Sequence, residues 1–206
     1  MSFFYEPPPR RRKAEVVKEH PPWHGPPDDL LGATVGVEQT VFRSETLVIE
    51  LASAVAFPEN VKFHLRMAAR HVEGVNDVWW RRRDLMFGGL HHWGNPDRPL
   101  EDETIRFGVR FPDGSKGTTL EEKLDFDDWP PPRPTGPVLR HRGGGGGGGT
   151  NSFISGHWDL WLWPLPPPEP FEFAVEWPAF GVPLTFVEID GTEIAAAAGR
   201  ARPYWP

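Results

Sequence analysis

The sequence predicts an all-β fold: a two-sheet antiparallel β-sandwich of short strands with a short C-terminal helix, and a partly open β-barrel as the alternative. Three observations carry this. Apolar and polar residues alternate in several runs, such as Val61-Lys62-Phe63-His64-Leu65-Arg66-Met67, the period of a half-buried strand. Turn chemistry separates the runs, as in Pro58-Glu59-Asn60 and Pro112-Asp113-Gly114-Ser115. The 206 residues include 25 prolines and 22 glycines, which interrupt helices, and ten tryptophans, which supply a core.

Residues 1–30 read as a flexible proline-rich arm around Arg10-Arg11-Arg12-Lys13, a run too short to mark a polyanion contact on an acidic chain. Residues 31–206 read as a single β domain. Val35, Val37 and Val41 share one side of a first strand, with Gln39 the exception. Thr46 to Phe57 and the Val61–Met67 run form a predicted hairpin. Residues 72–103 read as an insertion with a short helix, capped at Asn76 or Asp77 and stopped by Gly88-Gly89. Ile105, Phe107, Val109 and Phe111 resume the sheet pattern, and a strand returns from Lys116 to Leu120. Residues 125–152 read as a mobile Pro/Gly loop, because the seven glycines 143–149 each lose more entropy on ordering than any other residue.

His157-Trp158-Asp159-Leu160-Trp161-Leu162-Trp163 and Phe171-Glu172-Phe173-Ala174-Val175-Glu176-Trp177 alternate on either side of a proline-rich connection and read as a hairpin. Asp190 is the predicted cap of the last helix. Glu193 stands at capping-box spacing, and Ile189 and Ile194 stand at the staple positions.

Composition excludes several functions. The net charge of -7 disfavours nucleic-acid binding, which depends on neutralising phosphates. Without cysteine there is no disulfide, thiolate site or cysteine nucleophile. No apolar run reaches the length of a membrane span and the first residues lack a signal-peptide pattern, so the expected location is the cytoplasm.

Several segments resemble an uncharacterised family of bacterial proteins from high-GC genomes. The matching strings are Ile105-Arg106-Phe107-Gly108-Val109-Arg110-Phe111-Pro112-Asp113-Gly114, the polyglycine run, Trp161-Leu162-Trp163-Pro164-Leu165-Pro166-Pro167-Pro168, Glu176-Trp177-Pro178-Ala179-Phe180-Gly181-Val182-Pro183 and the Glu188-Ile189-Asp190 helix start. The resemblance covers most of the chain after about residue 35 and implies no activity and no catalytic residues.

The predicted hairpin supplies the candidate site. Pairing its apolar sides leaves His157, Asp159, Trp161, Trp163, Glu172 and Glu176 on one mixed face. Trp161 and Trp163 would be ligand-binding residues if exposed, with covering by another part of the fold as the competing expectation. His157, Asp159, Glu172 and Glu176 are the candidate catalytic residues, as paired acid and base of a hydrolase. Ser155, His157 and Asp159 share a strand but lack a nucleophile elbow.

Other constellations are weaker. His91-His92 with Asp84 or Asp97 lacks helical ligand spacing. Asp125, Asp127 and Asp128 lack a full calcium loop. Arg81-Arg82-Arg83 beside Trp79-Trp80 reads as a solvated face or partner contact. The glycine run lacks the lysine of a phosphate loop. No metal or other cofactor is expected. The leading expectation is a non-enzymatic binding or protein-interaction module with another protein or a peptide as partner. The alternatives are a hydrolase with paired carboxylates or a structural subunit of an assembly.

Overall fold

The computed structural model describes residues 20–71, 76–88, 102–120 and 130–205. They form two packed antiparallel sheets that do not close into a barrel. The five-stranded sheet contains β2 (Ala33–Arg43), β3 (Leu47–Ala56), β4 (Val61–Arg70), β7 (Val138–Gly149) and β8 (Phe153–Trp163), in the order β2-β3-β4-β8-β7. The four-stranded sheet contains β5 (Arg106–Arg110), β6 (Lys116–Thr118), β9 (Pro170–Trp177) and β10 (Val182–Asp190), in the order β10-β9-β5-β6. A small ladder joins β1 (Leu30–Leu31) to β11 (Arg202–Pro203).

The alternation read from sequence decides what lies between the sheets. Phe63, Leu65 and Met67 of β4 and Trp158, Leu160 and Leu162 of β8 face Phe107, Phe171, Phe173, Val175 and Trp177 of the other layer, all in one buried cluster. Aromatic rings bridge the layers, with Phe63 edge-on to Phe173 at 6.0 Å and Trp158 tilted against Trp177 at 5.7 Å. Such pairs add to the area term that holds the sandwich together.

The predicted hairpin of β3 and β4 is present, with Leu47 opposite Ala69 and Ala56 opposite Val61. So is the β5–β6 turn, where Gly114 takes φ +85° and Asp113 accepts from the Ser115 amide at 2.8 Å. The predicted internal helix is α1 (Asn76–Gly88), and its Trp79 and Met86 are buried. The C-terminal helix is α2 (Gly191–Ala198). Its cap is Asp190, whose carboxylate accepts from the Thr192 amide at 2.8 Å, and Ile189 and Ile194 are both buried beside it.

Two expectations are corrected. β8 and β9 are not a hairpin: β8 pairs with β4 and β7, and β9 with β5 and β10. The connection over residues 164–169 crosses from one layer to the other. Alternation along each strand fixed which side chains enter the core but not which strand lies alongside. The glycine run is no loop in the structure. It forms the outer half of β7, paired from Gly144 with Trp158 to Gly149 with Ile154. Tertiary pairing with β8 overrides the poor intrinsic strand preference of glycine.

Candidate functional site

Because β8 and β9 lie in different layers, the expected mixed face is divided. His157, Asp159, Trp161 and Trp163 alternate with the core residues of β8 and lie on the outer side of the five-stranded sheet. Glu172 and Glu176 lie on the outer side of the other sheet, each committed to an arginine: Glu172 to Arg110, and Glu176 to Arg106 at 2.5 Å. The Arg110 guanidinium holds the Glu172 carboxyl below its ordinary pKa. The sandwich therefore separates these two glutamates from His157 and Asp159, and they do not form a carboxylate–histidine pair.

Trp161 and Trp163 are covered, at 0% and 5% exposure. Trp23, from the stretch assigned to the arm, stands edge-on to Trp163 at 6.0 Å and donates its indole N–H to the Pro131 carbonyl at 3.0 Å. Arg133 lies over both rings, 5.9 Å from Trp23 and 5.3 Å from Trp163. Asn60 Nδ2 donates to the Pro22 carbonyl at 3.3 Å, and Arg142 donates to the His24 carbonyl. Burial, with Arg142, His20 and Arg140 nearby, pushes the His24 pKa down to about 4.

The rest of this outer face is polar and ordered in rows across the strands. One row runs Glu50, Arg66, His157, Gly146, and the next runs Val48, Ala68, Ser155, Gly148. An open groove of about 440 Å³ lies along them, lined by Val48, Glu50, Arg66, Ala68, Ser155 and His157, among others. Gly146 and Gly147 also line it. A Cβ on Gly146 would lie 2.7 Å from His157 Cε1, so the missing side chain lets the imidazole lie across β7. Arg66 and Glu50 face each other at 3.9 Å over the groove, too far for a strong pair.

A third row was not foreseen. Ser53, His64 and Asp159 are successive register partners on β3, β4 and β8. His64 Nδ1 lies 2.6 Å from Asp159 Oδ1, and Lys62 Nζ lies 3.6 Å from Asp159 Oδ2. Three register shifts fall on this row. Ala52 is the extra residue of β3, Val37 and Glu38 face it from β2, and Arg142 and Gly143 face Asp159 from β7. Glu38 takes φ +54° there. Bulges bend a sheet and re-aim side chains, so this line is where the face departs from regular geometry. The only sequence hint was that His64 and Asp159 each alternate with apolar residues along their strands, since the two are 95 residues apart.

The weaker constellations gain no support. His91, His92, Asp97, Asp125, Asp127, Asp128 and the Arg10–Lys13 run lie outside the described residues. Arg81 pairs with Glu103, and Arg83 lies 5.2 Å from the Trp80 ring. Among the described residues no three His, Asp or Glu side chains converge on a metal-sized site, and no helix is long and apolar enough to cross a membrane. No family model, curated protein or solved structure matches this chain.

Proposed function

We propose that this chain is a binding or protein-interaction module that takes a protein or peptide segment on the outer face of its five-stranded sheet. The groove over Ala68, Ser155 and Gly146-Gly147 carries the reading. It is open, has a floor of small residues, and offers convergent polar groups in Arg66, Glu50, Ser155 and His157. Trp161 and Trp163 have no part in it, because both are buried, with the chain's own Trp23 and Arg133 against Trp163. The reading treats the protein as cytoplasmic. It extends to the glycine-run family that the chain resembles, in which a β7 without side chains would leave the same trough.

Exposed apolar residues favour a second reading, a subunit of a larger assembly. Leu184, Phe186 and Trp205 are 58%, 45% and 79% exposed.

Peptide display against the purified chain tests the first reading, with counter-selection on an Ala68→Trp variant that fills the groove. Enriched peptides are expected to bind the native chain and not the variant. Peptides that bind both equally, or no enrichment, would remove it.

A further inference from the structure

We infer that Ser53 is a nucleophile activated by the Asp159–His64 pair, and that this row accepts acyl groups from small carboxylic esters. The inference is independent of the groove.

It begins with the bulge in β3. Leu47, Ile49 and Leu51 face the core, and strict alternation would send residue 53 inward with them. The extra residue Ala52 shifts the phase. Ala54 and Ala56 take the core positions, and Ser53 turns to the outer face opposite His64. Directly opposed residues on adjacent antiparallel strands have Cβ atoms about 4.5–5.5 Å apart, so a serine hydroxyl there is within one rotamer of an imidazole. Ser53 is only partly buried, and no hydrogen bond among the described residues commits its hydroxyl elsewhere.

His64 is arranged as a base. The Asp159 carboxylate, 2.6 Å from Nδ1, fixes the proton on that nitrogen and leaves the Nε2 lone pair to accept one. Nε2 has no hydrogen-bond partner among the described residues. The imidazole is 33% exposed, so a solute reaches it, whereas Asp159 is 15% exposed and also faces Lys62. Orientation, tautomer and access are therefore met by three side chains from three strands.

The step is an acyl transfer. Ser53 Oγ attacks the ester carbonyl carbon as its proton passes to His64 Nε2. The ester C–O bond then breaks, the leaving alkoxide takes the proton from Nε2, and the acyl group remains on Ser53. A water molecule attacks the acyl-serine with the same base, releasing the carboxylic acid and restoring the hydroxyl. General-base assistance of this kind contributes about 10²–10⁴-fold. The row lies on an open sheet face, which suits small esters with good leaving groups.

The test treats the full chain with a fluorophosphonate probe and with p-nitrophenyl acetate, and locates the adduct by peptide mass spectrometry. One adduct at Ser53 is expected. It is absent in Ser53→Ala, slowed at least about tenfold in His64→Gln and Asp159→Asn, and unchanged in Ser115→Ala, a turn serine of the other sheet. In the native chain the adduct should map to Ser53 alone, a readout that survives if a variant fails to fold. Labelling spread over several serines, a Ser53 rate indifferent to His64→Gln, or no labelling would each overturn the assignment.

Discussion

Trp23 stands edge-on to Trp163, ring centroids 6.0 Å apart at 66°, across 140 residues of sequence. The contact places a residue from before the first strand over the outer face of β8. Trp23→Ala should uncover Trp163. Truncating a fully buried tryptophan costs about 3–5 kcal/mol, and half-buried Trp23 should cost about 2 kcal/mol. Urea unfolding reads the loss. Acrylamide quenching should rise in the folded variant, and unchanged quenching would show that Trp23 is not the cover.

His141 predicts the acid behaviour. It is packed against Phe107 and Trp158, and burial pushes its pKa down to about 3. The unfolded chain takes up a proton near the ordinary value of 6.5, whereas the folded chain refuses it until about 3. Stability is therefore full above the unfolded value and falls as pH drops through that window, by on the order of 4 kcal/mol in all. His24, lowered to about 4, adds a slope of the same sign. His141→Phe keeps a ring against Phe107 and Trp158, and should make unfolding midpoints at pH 7 and pH 5 converge. An unchanged difference would place the titrating group elsewhere.

The glycines of β7 should differ in sign. At Gly148 an added Cβ meets nothing within 4 Å, so Gly148→Ala should raise stability by about 0.4–1 kcal/mol by restricting the unfolded chain. At Gly149 the same atom would lie 2.7 Å from Ile154 Cγ2 and 2.9 Å from Ile154 Cα, so Gly149→Ala should destabilise. Denaturant midpoints of the two variants check this, and equal effects would argue against the strand pairing of the run.

Asp190→Ala removes the acceptor of the Thr192 amide at the start of α2. That hydrogen bond holds the Asp190 carboxyl below its ordinary pKa. The stability it gives is present above the unfolded carboxylate value and lost as pH falls through the lowered one. The variant should melt a few degrees lower near neutral pH and match the native chain in strong acid. A deficit of equal size at both would point to lost packing rather than a lost cap.

What the sequence shows and hides follows from the range of each interaction. The Asp190 cap, the Asp113–Ser115 turn and the inward set Phe63, Leu65 and Met67 depend on neighbours a few residues away, and all were legible. The partner of β8 was not. Period-two alternation assigns faces, and the same faces serve a hairpin or a crossing between layers equally well. Glu172 and Glu176 were grouped with His157 and Asp159 for that reason. Ser53 was hidden more deeply, because its direction depends on a one-residue shift against β4 that no local pattern in β3 announces. The glycine run was misread because an entropic cost belongs to the residue, whereas the pairing that offsets it belongs to β8.

The crossing at residues 164–169 bears on how the molecule comes apart. β4 must wait for β8 to continue its sheet, and β5 must wait for β9. Each layer is thus assembled from two stretches of chain, and the stretches interleave along the sequence. Neither layer is a separable folding unit, and a break in the proline connection would leave the four-stranded sheet without half of its strands on one chain. Such an interlock should give a single cooperative unfolding transition and slow folding, because the pairings that complete each layer, β4 with β8 and β5 with β9, join distant segments.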